Sequence, residues 1–163
     1  MRTAIAAIDR ALAMLLRAGS VLVLPVSLLL FLQWPLREWV QAYSREANDL
    51  AQVLFALYVA LAVTAATRRH AHLAADALAR HYAERTRNLL ARIAGLVVVL
   101  PWAAFVLWSA WPIVAQSVRE LESFPDTFNP GYFLLKLAVA VLAAAVALQA
   151  VVIASGFTGP EER

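Results

Sequence analysis

The chain has 163 residues, of which 63% are hydrophobic and 15% charged, and it carries a formal net charge of +3. Soluble domains run at about 45–50% apolar and about 25% charged. A chain of this size leaves roughly a third of its surface exposed on folding, which excludes a soluble globular enzyme, and disorder needs the opposite composition. The absence of cysteine removes disulfide, thiolate-metal and cysteine-nucleophile chemistry, and the length accommodates about four bilayer crossings of roughly 20 residues each.

The first apolar run covers 18–36 and follows a basic lead-in with Arg2, Arg10 and Arg17 opposed only by Asp9. A signal peptide also starts this way. Here the lead-in is long, Ile5, Ile8, Leu12, Leu15 and Leu16 recur at helical spacing, and no small-residue cleavage site follows Trp34-Pro35. The pattern predicts an uncleaved spanning helix that tolerates Pro25. The second run, 50–67, is opened by Asn48 and Asp49, which suit a helix N-cap and first turn. The segment 72–87 places Leu73, Leu78 and Tyr82 on one face and Arg80, Glu84 and Arg87 on another. It reads either as an amphipathic helix on the membrane surface or as an extension of the third span into water. The third run is 89–114, interrupted by Pro101 and Pro112, and can span with tilt or a kink. The fourth is 130–155, with Lys136 as its only charge and Gly156, Gly159 and Pro160 beyond its end. These stretches are uniformly apolar, as spanning helices are. The expected fold is a single all-α membrane domain over 1–163, a bundle of four transmembrane helices with an amphipathic interfacial helix between the second and third.

Loop charge predicts orientation. Arg2, Arg10, Arg17, Arg68, Arg69, Arg80, Arg85, Arg87, Arg92 and Arg163 lie on one side, against Arg37, Arg45 and Arg119 on the other. The positive-inside rule puts both termini in the cytoplasm. Trp34, Trp39, Tyr43, Trp108, Trp111, Tyr132 and Phe133 fall near the opposite ends, as interfacial aromatics do.

No catalytic constellation is legible. His70, His72 and His81 all lie in the basic loop, whereas haem in a bundle needs axial ligands within the spans and zinc needs three or four ligands. There is no Gly-rich phosphate loop or Ser-His-Asp pattern, and no cofactor is expected. The hydroxyls of Ser20, Ser27, Thr64 and Ser109 are candidates for back-bonding to their helices. The spans lack carboxylates, although an ion or proton pathway would place ionisable or broken-helix sites at mid-membrane. They do carry small residues four apart, as in Ala56/Ala60, Ala62/Ala66, Ala140/Ala144, Ala143/Ala147 and Ala150/Ala154, which permit close helix approach.

Arg68-Arg69-His70-Ala71-His72-Leu73-Ala74-Ala75-Asp76, then Glu122-Ser123, Pro130, Lys136 and Gln149, together resemble the small membrane subunit (the Q subunit) of tripartite ATP-independent periplasmic, or TRAP, transporters. The resemblance covers nearly the whole chain, with His72 and Asp76 in the family's His and Asp positions. Ala71 and Ala74 depart from the Gly and the basic residue often found beside that His. The resemblance implies a non-enzymatic partner of a large multi-span subunit. That subunit would carry an organic acid or similar solute inward on a sodium gradient, after capture by a periplasmic solute-binding protein. The chain would pack against the large subunit, help dock the binding protein and be inactive alone, in a bacterial inner membrane. On that basis Arg68, Arg69, His72, Asp76, Glu122, Lys136 and Gln149 are candidate partner or lipid contacts. Lys136 could pair with Glu122, Asp126 or a lipid phosphate. Asp76 could hold Arg80 four residues on. Gln149 could bond across helices, and Glu120, Glu122 and Asp126 form an acidic rim suited to docking. Two other readings stay open: a membrane anchor or assembly subunit of a redox complex, and a self-sufficient homo-oligomeric carrier.

Overall fold

In a computed structural model of the chain, residues 2–40, 44–69 and 82–156 are described. They form α1 (Arg2–Val21), α2 (Val23–Trp39), α3 (Arg45–Arg68), α4 (Glu84–Ala94), a π-helical turn (Gly95–Val99), α5 (Leu100–Arg119) and α6 (Tyr132–Ser155). No named strand occurs among the described residues, and one isolated antiparallel bridge joins Ser123 to Pro130. Four helical stretches are long and apolar enough to cross a bilayer: Thr3–Trp39, Arg45–Arg68, Glu84–Arg119 and Tyr132–Ser155.

The first three of these stretches are longer than the apolar runs that announce them, and the fourth starts two residues inside its run. The lead-in before residue 18 is itself α1. Ile5 and Ile8 pack beside the buried cluster of Leu12, Ala145 and Val152, so α1 joins the interior instead of standing apart from it. Arg10, Met14 and Arg17 occupy its exposed face. The break falls at Leu22, whose N–H donates to the Gly19 carbonyl at 3.1 Å. Three residues on, Pro25 has no N–H to offer and its ring crowds the carbonyl of Val21, which ends α1 there.

The N-cap of α3 is Ser44, not Asn48. Its Oγ accepts from the Ala47 N–H at 3.1 Å, a capping bond that Asn48, already inside the helix, cannot make. The expected amphipathic segment 72–87 lies mostly outside the described residues. Its end, from Glu84, is the first turn of α4, which runs without a break into the third span. The π turn precedes Pro101: the Leu100 N–H donates back to the Gly95 carbonyl, five residues away. This wider turn accommodates a proline that would otherwise crowd the Val97 carbonyl.

The spans are arranged as a row. α6 sits at its centre, packed against α5 on one side and α3 on the other, and α2 continues the row beyond α3. α1 lies across α3 and α6. Small side chains make this approach possible: Ala138, Ala143, Ala145 and Ala150 of α6, and Ala51 and Ala60 of α3, are buried. Gly19 is where α1 crosses α3, and a Cβ there would fall among the side-chain atoms of Leu61. The edge helices stay open. Leu28, Phe31, Trp34 and Trp39 of α2, and Trp102, Phe105, Trp108 and Trp111 of α5, are exposed, as lipid-facing or partner-facing side chains are. Ser20, Thr64 and Ser109 donate to carbonyls one turn back, those of Arg17, Ala60 and Val106.

Candidate functional site

The loop joining α5 to α6 is built around Glu122. Its carboxylate accepts from the Lys136 ammonium and from the Ser117 hydroxyl. Its carbonyl accepts from the N–H groups of Gly131 and Tyr132 at 3.2 and 3.0 Å, and its own N–H donates to the Ser117 carbonyl at 3.1 Å. One residue thereby ties the end of α5 to the start of α6. The Lys136 and Ser117 hydrogen bonds, with the ammonium charge, hold the Glu122 carboxyl below the ordinary carboxylate range. Lys136 also stands 5.4 Å from the Tyr132 ring centroid, and Tyr132 meets Phe124 edge-on at 5.5 Å. Gly131 starts α6 at φ 143°, where a Cβ would press on Phe124. Only glycine enters this turn without strain.

Two further bonds order the loop tip. The Phe128 N–H donates to the Phe124 carbonyl and the Phe124 N–H to the Asn129 carbonyl, both at 2.9 Å. The Thr127 hydroxyl donates to Asp49 Oδ2 at 2.5 Å, which anchors the tip to α3. Leu121 and Phe128 are held at positive φ, 47° and 58°, a costly conformation for apolar residues with a Cβ. Both are exposed, Phe128 at 80%.

The basic end of the row carries the second constellation. Arg68 is buried at the end of α3, with Nη1 2.9 Å from Asp9 Oδ1. Arg69, the next residue, is exposed and its N–H closes the helix on the Ala65 carbonyl. The Arg92 guanidinium covers Gly156 beyond the end of α6, where a cation complements the carbonyl end of a helix.

The candidate residues thus divide. Glu122 and Lys136 meet as a pair, and Asp126 is not Lys136's partner. Arg68 and Arg69 sit together but face different surroundings. His72 and Asp76, and the Asp76–Arg80 pairing, lie outside the described residues. Gln149 is 2% exposed in α6, and among the described residues its Oε1 meets no donor. Sequence reading singled out neither Ser117 nor Thr127. The nearest signal for Ser117 was its place five residues before Glu122 at a span's end.

No curated protein and no solved structure matches the chain at a significant level. The family model for the DctQ component of tripartite ATP-independent periplasmic transporters matches residues 26–156. That interval holds α3, α4, α5, α6 and nearly all of α2, together with the Glu122 loop. The chain is therefore a multi-pass membrane protein that belongs to the DctQ family, the small permease component of TRAP transporters.

Proposed function

We propose that the chain works as a non-catalytic scaffold in sodium-coupled uptake of an organic acid or similar solute. It packs against the large transport subunit through the open faces of its row of helices. It helps dock the periplasmic solute-binding protein through the loop between α5 and α6. Both termini lie in the cytoplasm of a bacterial inner membrane, because the arginines concentrate at that end, and this puts the Glu122 loop in the periplasm.

The observation that carries the docking role is the loop tip. A loop that spends backbone strain to display Leu121 and Phe128 outward, and is tied down by Glu122, Lys136 and Asp49, has the rigidity and exposed apolar surface that recognition needs. The row supports the scaffold role. α2 and α5 sit at opposite edges with aromatic side chains exposed, so the chain widens whatever it packs against.

The test is reconstitution. A tagged chain drawn from native membranes in mild detergent is expected to bring a large hydrophobic subunit with it. Proteoliposomes holding both subunits, given the binding protein, a sodium gradient and labelled solute, are expected to accumulate solute, whereas either membrane subunit alone is not. Uptake by the large subunit at full rate without this chain would overturn the proposal, as would recovery of redox subunits in the pull-down.

A further inference from the structure

Polar contacts bracket the third span. At one end the Ser117 hydroxyl meets Glu122, which also holds Lys136. At the other the Arg92 guanidinium covers Gly156. The interval from Arg92 to Ser117, about 25 residues, rises about 37 Å at 1.5 Å per residue. That slightly exceeds a hydrocarbon core about 30 Å thick. Phe105 stands near the middle of this interval. Trp102 and Trp108 lie three residues to either side, within about 5 Å of it along the axis. All three are on the open side of α5, and they are exposed at 51% (Trp102), 64% (Phe105) and 79% (Trp108). Ala103, Val114 and Ser117 are buried on the other side of the same helix.

Tryptophan at this depth does not suit lipid. Its ring favours the boundary between membrane and water, where the indole N–H finds an acceptor. Acyl chains offer none, and an unpaired polar group in hydrocarbon is costly. α2 has the arrangement that lipid favours. Trp34 and Trp39 fall at its far end, with ring centroids 6.1 Å apart, and its earlier turns expose Leu24, Leu28 and Phe31. The two edges of the row therefore differ in kind. Tryptophan is also prominent among the side chains that dominate protein contacts. Trp102, Phe105 and Trp108 together expose on the order of 400 Å² of side chain, about half of what one partner gives to a stable interface. An isologous contact with a second copy would set indole donors against indole donors. The matching occupant is a helix with small side chains that receive the rings and a hydroxyl or carbonyl oxygen that accepts from an indole.

We propose that the face of α5 at Trp102, Phe105 and Trp108 packs against a transmembrane helix of the large transport subunit, and that α2 faces lipid. This rests on the scaffold role proposed above and adds which edge of the row makes the contact. It is independent of which solute is carried and of how the binding protein docks.

The experiment is photocrosslinking of the full chain in membranes that hold the large subunit. The photoreactive analogue p-benzoylphenylalanine replaces Phe105 on α5 or Phe31 on α2, each exposed, and keeps the phenyl ring. The expected result is an adduct with the large subunit from position 105 and none from position 31. Trp108→Leu stays apolar and is expected to lower co-purification of the large subunit about tenfold. The same variant is expected to leave the unfolding midpoint of the chain alone unchanged, and Phe31→Leu to change neither. A large-subunit adduct from position 31 in equal or greater yield overturns the proposal. So does an adduct from position 105 at the mass of two copies of this chain. Absence of any adduct from position 105 while the tagged chain still brings the large subunit down also overturns it, and leaves the scaffold role standing. A pull-down of the unaltered chain without the large subunit refutes the scaffold role itself.

Discussion

Arg68 Nη1 stands 2.9 Å from Asp9 Oδ1, and both side chains are less than a tenth exposed. The pair fastens the start of the chain to the far end of α3, 59 residues away. Removing one member leaves a buried charge without a partner, which costs about 3–5 kcal/mol, whereas replacing both by apolar residues is far less damaging. Asp9→Leu is therefore expected to lower the thermal unfolding midpoint sharply, and Asp9→Leu with Arg68→Met to recover most of the loss. Simply additive losses would show that the two groups do not act as a pair.

The Glu122 carboxyl is depressed from 4.5 in the folded chain, first by the Lys136 hydrogen bond and then by that of Ser117. The unfolded chain takes up this proton first as pH falls. The stabilisation is thus complete above the ordinary carboxylate range and is lost as pH drops through the lower folded value. Comparing unfolding midpoints of the unaltered chain and Glu122→Gln from pH 7 downward is expected to show a gap that narrows in acid. A gap that stays constant or widens would mean that ionisation of Glu122 does not hold the loop.

The four apolar stretches were legible because nothing but a bilayer hides so many uniformly apolar residues, and the Lys136–Glu122 pairing was among the options that two interfacial charges allow. Other features had no sequence signature. Asp9 and Arg68 are single charges far apart, and their meeting depends on the crossing of α1 over α3. The arginines of α1 suggested a segment outside the membrane, yet Arg10 and Arg17 share its exposed face while Ile5, Ile8 and Leu12 turn inward. Ser117 lies beyond the third apolar run, and only the turn that brings Glu122 back onto it gives it a partner. The π turn follows from Pro101 only once the surrounding helix is known to continue.

Gly19 tests the α1–α3 crossing. A Cβ at this position would overlap the Leu61 side chain, and overpacking of this kind costs about 1–3 kcal/mol. Gly19→Ala is expected to destabilise the chain, and to do so much less in a Leu61→Ala background, where the space is open. Coupling of at least about 0.5 kcal/mol in the double-mutant cycle is expected for residues in contact; none would place the crossing elsewhere.

Phe128 separates display from stability. Asparagine accepts a positive φ more readily than phenylalanine, so Phe128→Asn is expected to leave the unfolding midpoint unchanged or slightly raised. Burial of an aromatic side chain is worth about 1.5–3 kcal/mol. The same variant is therefore expected to weaken capture of the solute-binding protein by the assembled transporter about tenfold or more. Unchanged capture would remove Phe128 from the docking surface.

Gln149 poses the reverse case, a polar group whose loss should help. Its side chain is 2% exposed, and among the described residues Oε1 accepts from no donor. A buried unsatisfied acceptor costs about 1–3 kcal/mol, and replacing it by an apolar group of similar shape removes that cost. Methionine matches glutamine in length and flexibility and fills irregular gaps. Gln149→Met in the detergent-solubilised chain is expected to raise the unfolding free energy by about 1 kcal/mol. A fall of that size would mean that a donor reaches Oε1 within the membrane, and that Gln149 belongs to a polar contact which holds α6 in the row.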